Sequence, residues 1–192
     1  EDDVKRLMDG KKADMVFNDP PYGMSYKPNH NKARENNKKG ITYNNVRHQT
    51  MVIGDDADFD PSFLMSYFSY CKEQFWWGAD YYFDKILDFK KGNIMVWNKR
   101  FGIETMNWSS SHFEIVWSRQ PHLKEVINVK WFGVQGTETQ DVRTRIHPTQ
   151  KPIELVRHFL DKWSGVNDLI VDLFLGSGTT MVAAHQLNRR CF

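Results

Sequence analysis

The string Asn18-Asp19-Pro20-Pro21-Tyr22 sets a carboxylate, two ring-locked prolines and a phenol directly behind the apolar run Met15-Val16-Phe17. An apolar run that stops at a carboxylate and two prolines reads as a buried strand ending in a rigid turn. Such a turn presents a hydrogen-bonding side chain and an aromatic face above the strand's carboxyl end, where open α/β sheets bind ligands. Far along the chain, Leu169 to Thr180 forms a second strand-turn-helix junction, rich in glycine and threonine. Two such junctions point to two ligands meeting, one at each strand end.

The second junction reads Asp172-Leu-Phe-Leu-Gly176-Ser177-Gly178-Thr179-Thr180. Glycines at a strand-to-helix turn permit close backbone approach, and the unpaired N–H groups of the helix start attract an anionic group. A nucleotide phosphate, the carboxylate of an amino-acid-like cofactor and a turn that only packs helix on strand all remain open. No lysine stands where a P-loop needs one, and Met181 occupies the third-glycine position of a dinucleotide fingerprint. A third string, Arg145-Ile-His147-Pro148-Thr149-Gln150-Lys151-Pro152, has two prolines that fix a rigid lead-in to a helix. On its own it is a helix-entry turn with a polar edge of Thr149, Gln150 and Lys151, and His147 is an exposed or packing histidine.

The elements that must position these strings follow from pattern. Strands are expected at 14–18, 75–79, 93–98, 112–118, 126–132 and 169–174. The last is apolar on both faces, as a covered parallel strand should be. Helices are expected at 61–74, in a short stretch within 80–90, over Pro152 to Trp163 and from Thr179 to Asn188. The third is the clearest. Pro152 suits the first helical position, Glu154 the first turn, and Ile153, Val156, Phe159, Leu160 and Trp163 make the apolar stripe. Strands alternating with helices predict an α/β domain around a mostly parallel sheet.

With 192 residues, the chain fits one domain of 1–192, and seven Trp and thirteen Phe promise a solid core. No run approaches the length a membrane span needs, and Cys71 and Cys191 are too few for a disulfide framework or a cysteine metal site. The expectation is a cytoplasmic protein with no metal and no membrane partner. The chain starts at Glu1 and stops at Phe192, where a helix should hand over to another strand. We therefore expect a fragment, truncated at both ends and most seriously at its C-terminus. Net charge is only +2, yet Lys27, Lys32, Arg34, Lys38, Lys39 and Arg47 face a single acid, Glu35, between residues 27 and 48. This falls in a segment, 23–56, without apolar period: a mobile basic loop that is either simply solvated or in contact with phosphates.

Taken together and in this order, Asp-Pro-Pro-Tyr, His-Pro-Thr-Gln-Lys-Pro and Asp-Leu-Phe-Leu-Gly-Ser-Gly-Thr-Thr resemble the S-adenosylmethionine-dependent DNA amino-methyltransferases. Having Asp-Pro-Pro-Tyr ahead of the glycine-rich motif is similar to their beta group, whose motif order is circularly permuted. The resemblance runs from about Ala13 to Cys191 and implies a Rossmann-like class I methyltransferase fold.

By that resemblance Asp19, Pro20, Pro21 and Tyr22 are catalytic. Asp19 and the Pro20 carbonyl would hold an exocyclic amine, and Tyr22 would stack on a base turned out of its duplex. Asp172, Phe174, Gly176, Ser177, Gly178, Thr179 and Thr180 would bind S-adenosylmethionine, with Thr149, Gln150 and Lys151 adding an edge. The acid expected to grip the cofactor ribose lies past Phe192. Asp-Pro-Pro-Tyr points to the N6 amine of adenine, with N4 of cytosine as the alternative. Residues 119–146 form a short target-recognition segment, with Arg143 and Arg145 joining the basic loop as DNA contacts; Trp131 reads better as a strand core residue. Double-stranded DNA, a homodimer and a cognate restriction endonuclease are the implied partners. The rival readings are methylation of a protein amide, which Asp19 in place of asparagine disfavours, and an inactive nucleic-acid-binding module of the same fold.

Overall fold

In the computed structural model, residues 1–23, 54–102, 111–131, 136–140, 146–147 and 149–192 are described. The expected basic-loop residues Lys27, Lys32, Arg34, Lys38, Lys39 and Arg47 lie outside them, as do Arg143 and Arg145.

A helix α1 (Asp2–Met8) leads into β1 (Met15–Asn18), followed by α2 (Ser62–Tyr67) and β2 (Glu73–Trp77). Three 3-10 turns (Ala79–Tyr81, Phe83–Lys85, Phe89–Lys91) connect to β3 (Asn93–Asn98), β4 (Phe113–Ser118) and β5 (Val126–Asn128). Then come α3 (Ile153–Trp163), β6 (Leu169–Val171), α4 (Thr179–Gln186) and β7 (Arg190–Cys191). The sheet has seven strands in the order β5-β3-β4-β2-β1-β6-β7. Only β4 runs against the rest, pairing antiparallel with both β2 and β3. The fold is thus α/β and Rossmann-like, with a mostly parallel sheet.

Strand periodicity divides the core in two. Met15 and Phe17 of β1, Phe75 and Trp77 of β2 and Ile170 of β6 face α3 and α4, where Leu155, Val156, Phe159 and Leu160 cover them. Val16, Trp76, Leu169 and Val171 point to the other side and pack on Met8, Met65 and Phe68. The Phe159 ring sits at the centre of the first layer, 5.6, 5.2 and 5.5 Å from the rings of Phe17, Phe75 and Trp77.

Several boundaries differ from the sequence expectation, each for a local reason. Helix α2 stops at Tyr67 rather than 74. The buried Gln74 amide donates to the Phe68 carbonyl at 2.7 Å, closing the helix end while its backbone joins β2. The stretch 80–90 is not one helix, because Tyr82 leaves the helical region at φ −142° and Asp88 takes a left-handed angle, φ 58°, which break it into separate turns. Strand β6 ends at Val171, since Asp172 Oδ1 accepts the Phe174 N–H at 3.0 Å and turns the chain away. β5 covers Val126–Asn128 and residues 129–131 lie outside it, and α4 ends two residues short of Asn188.

Strand β1 is fixed against β6 at both ends. Asp14 Oδ2 accepts the Leu169 N–H at 2.9 Å, and Asn18 Oδ1 accepts the Leu173 N–H at 3.0 Å. Between these ties Met15 and Val16 pair in parallel with Ile170 and Val171. The carboxyl ends of the two motif strands therefore lie side by side. Removing the ring that holds α3 on these strands, by Phe159→Ala, is expected to lower unfolding free energy by about 3–5 kcal/mol in urea denaturation.

Candidate functional site

Asp19 leaves the end of β1 half-buried, and each carboxylate oxygen has a partner. Oδ1 accepts the Tyr22 hydroxyl at 2.5 Å. Oδ2 forms an ion pair with Lys151 Nζ. Pro20 is buried and Pro21 half-buried, so the turn between carboxylate and phenol is packed as well as stiff.

Tyr22 is seated by residues that the motif does not contain. Its ring stacks on Tyr81 with centroids 5.0 Å apart and planes 4° from parallel. Gly78, at φ 66°, lies under the ring, and a Cβ there would overlap it. Burial, then the charges of Asp19 and Glu114, push the Tyr22 phenol well above its ordinary value, so it stays a donor. Tyr81 is 53% exposed, which puts an open aromatic face at the rim.

Lys151 extends the site across the sheet. Its side chain is only 6% exposed, and its ammonium lies between Asp19 and Glu114, 3.5 Å from Glu114 Oε2 and 4.7 Å above the Trp77 ring. Glu114 Oε1 in turn accepts from Lys99 Nζ at 2.7 Å. Burial works against the Lys151 charge, but Asp19 and Glu114 outweigh it and hold the ammonium above the usual lysine value. Burial likewise opposes the Glu114 charge, and Lys151 with Lys99 overcomes it, leaving Glu114 below the usual carboxylate range. Four alternating charges thus run from β1 to the end of β3.

The glycine-rich turn adjoins this row. Gly176 and Gly178 take left-handed angles, φ 52° and 73°, and among the described residues no atom beyond the chain neighbours lies within 4 Å of where a Gly178 Cβ would stand. The Thr179 hydroxyl donates to the Lys151 carbonyl at 3.3 Å and shares a 2.8 Å bond with the Ser177 hydroxyl. The His147 ring stands beside Gly176. Asp172 is buried at the end of β6, hydrogen-bonded by the Phe174 N–H and the Thr180 hydroxyl. Burial pushes its carboxyl up to about 6 despite these donors, and it feels the charges of both Asp19 and Lys151. The Phe174 ring packs edge-on against Phe59.

Of the residues expected at the site, Asp19, Tyr22, Lys151, Asp172, Thr179 and Thr180 are drawn together. Lys151 reaches the Asp19 carboxylate as well as the edge of the glycine turn. Thr149 is exposed, its hydroxyl 3.1 Å from His147 Nδ1. The Gln150 carbonyl accepts the Trp131 indole N–H at 2.8 Å, and its amide oxygen accepts the Ile146 N–H. Trp131 is buried, in keeping with the core reading. Sequence reasoning missed Gly78, Tyr81, Lys99 and Glu114. Glu114, a lone acid within the apolar alternation of β4, was the available signal. Among the described residues no group of His, Cys, Asp and Glu could hold a metal ion, and no helix is long and apolar enough to cross a membrane.

Two substitutions test this geometry. Because the Asp172 carboxyl is raised in the fold, the native state binds its proton more tightly than the unfolded chain, and the residue's contribution falls as pH rises from about 4 to about 6. Asp172→Asn should therefore be more stable than wild type at pH 7.5, by roughly 3 kcal/mol, with the gap closing below pH 4 in thermal unfolding. Gly78→Ala should cost about 1–3 kcal/mol, and less in a Tyr22→Ala background, where the overlapping ring is gone.

Comparison with known proteins accords with the fold. Type II methyltransferase M.HinfI of Haemophilus influenzae is 26% identical over 219 residues, an alignment spanning 96% of this chain; the chain covers 59% of that relative's length. Among solved structures, the cytosine-N4-specific PvuII DNA methyltransferase matches with a TM-score of 0.57 at 14% identity, over 98% of this chain and 77% of that one. The complex of M1.HpyAVI with SAM matches with a TM-score of 0.50 at 19% identity, over 98% and 86%. The sequence profile of the DNA methylase family covers residues 13–192, nearly the whole length. The chain belongs to the N6/N4 family of DNA methylases.

Proposed function

We propose that this chain transfers a methyl group from S-adenosylmethionine to the exocyclic N6 amine of adenine in double-stranded DNA. The observation that carries the reading is the parallel pairing of β1 with β6, which sets Asp19 beside the glycine-rich turn. The choice of adenine rests on Asp19 leading the Pro-Pro-Tyr sequence; methylation of cytosine N4 is the competing outcome.

The residues present fit the cofactor. The open backbone at Gly178 leaves room for a closely approaching ligand. The buried Asp172 carboxylate suits an ammonium, and the N-terminus of α4 suits a carboxylate. Asp172, Phe174, Gly176, Ser177, Gly178, Thr179 and Thr180 would hold the methionine end, with Thr149 and Gln150 at its edge. When bound, it supplies an electrophilic methyl group.

The protein's own part is acceptor chemistry. An aromatic amine is a poor nucleophile because its lone pair is delocalised into the ring. Hydrogen bonds from the amine to Asp19 and to the Pro20 carbonyl favour a pyramidal nitrogen whose lone pair points along the line of attack. Lys151 holds Asp19 in one orientation while this happens. No strong base is needed beforehand, since the amine proton becomes acidic only once nitrogen carries the methyl group. To reach Asp19 the base must leave the duplex at a cost of a few kcal/mol, and stacking on Tyr22 returns roughly 1–3 kcal/mol of it. Lys27, Lys32, Arg34, Lys38, Lys39, Arg47, Arg143 and Arg145 supply phosphate contacts in this reading, and residues 119–146 read the target. A homodimer and a partner restriction endonuclease are compatible with it.

Labelled S-adenosylmethionine and duplex DNA, incubated with the protein and digested to nucleosides, test the proposal. Labelled N6-methyladenine is the expected product. N4-methylcytosine would move the base assignment, and no labelled nucleoside would overturn the reading. Asp19→Ala should lower transfer by at least about a hundredfold.

A further inference from the structure

Resting on the methyl-transfer reading above, we propose that Glu114 is a positioning residue for the reaction, acting on the Asp19 carboxylate through Lys151, with Lys99 bracing Glu114 from the far side.

The geometry is a row of four groups, three set by strands of the sheet and one by the lead-in to α3. Asp19 follows β1, Lys151 precedes α3, Glu114 lies in β4 and Lys99 follows β3. An ammonium on a four-carbon stem is a mobile point charge, and one carboxylate alone would leave it free to swing. Here Glu114 takes it from the opposite side, and the Trp77 ring lies beneath it. Glu114 is itself pinned, because Lys99 holds its other oxygen at 2.7 Å. Backbone pairing limits the freedom of this side chain: Glu114 pairs with Trp97 of β3, and residues 116–118 of the same strand are also paired with β2. The row therefore transmits the rigidity of the sheet to a carboxylate that itself lies on a turn. Its charges sum to zero, which lets it sit partly buried.

Removing the Glu114 charge acts on Lys151 in a known direction. The ammonium would keep Asp19 as its one close anionic partner, with the Lys99 charge left uncompensated nearby. Among the described residues, the other charged groups facing this row are Asp172 after β6 and Asp80 in the first 3-10 turn, both charge-coupled to it. Tyr22, Tyr81 and Tyr82 also face it, all raised above their ordinary values and so neutral. Neither acid replaces Glu114 within salt-bridge reach of Lys151. The ammonium should then lose its proton at lower pH, releasing Asp19 from its fixed direction.

The test compares pH profiles of methyl transfer for wild type, Glu114→Gln and Lys99→Gln, alongside titration of the side-chain resonances of ¹³C-labelled lysine. In Glu114→Gln, kcat at pH 7.5 should fall roughly ten- to a hundredfold while KM for DNA and for S-adenosylmethionine changes little. Its alkaline limb, and the Lys151 resonance, should move down by about one to three pH units. Lys99→Gln leaves Glu114 to Lys151 alone, so neither limb nor resonance should move down. An unshifted profile and resonance in Glu114→Gln would overturn the proposal, as would equal shifts in both variants. If Glu114→Gln does not fold, the double variant Glu114→Gln/Lys99→Met, which removes both charges of the far pair, must still show a downward shift, smaller because no bare Lys99 charge is left beside Lys151. A wild-type protein that methylates no DNA would instead overturn the functional reading, and the lysine titration would still report on the row.

Discussion

Everything at this site depends on a strand pair whose members are 155 residues apart in the chain. The β1–β6 pairing places a carboxylate at the end of one strand and a glycine-rich turn at the end of the other. Parallel pairing alone would tolerate a slip, and a slip of one residue would turn every side chain of β1 to the opposite layer. Two side chains of β1's own ends, Asp14 and Asn18, prevent it by accepting backbone N–H groups at either end of β6. Asn18 thus fixes the registration of the strand whose next residue is Asp19.

Upon that frame the protein builds a row of charges rather than an apolar floor. Buried ion pairs contribute little to stability once desolvation is counted, and replacing them with apolar groups is often neutral. Their presence here fits a demand for direction. The prolines fix the backbone of the turn after Asp19 but not the rotation of its carboxylate, which an ammonium held from the sheet can aim. The aromatic floor under Tyr22 answers the same need: Gly78 has no side chain because the phenol occupies that space, and Tyr81 keeps the ring parallel.

How far the sequence alone reaches is set by how local each signal is. The end of β1, the start of α4 and the whole of α3 are announced by prolines, glycines and a helical stripe within a few residues, and the structure places them where the pattern does. The helix expected to 74 fails at Tyr67 because Gln74 caps it from a strand, and the strand expected to 174 fails at Val171 because Asp172 binds its own backbone two residues on. Those are side-chain choices that periodicity does not see. Lys151 could be placed near the cofactor edge from its motif, but its reach to Asp19 and Glu114 depends on β4 lying one strand beyond β2. Nothing local to residue 114 reveals that, since β4 reaches its place by reversing direction against the rest of the sheet.

The separation of β1 from β6 also shapes how the molecule is made. As the chain leaves the ribosome, β1 meets β2 early, whereas its other flank must wait until residues 169–171 have been synthesised. Until then one backbone edge of a strand carrying Val16 and Phe17 stays bare, in the form most prone to wrong pairing. Long-range closures of this kind slow folding. The two halves of the site therefore join late, and a nascent chain cannot bring Asp19 beside the glycine-rich turn before residues 169–178 emerge.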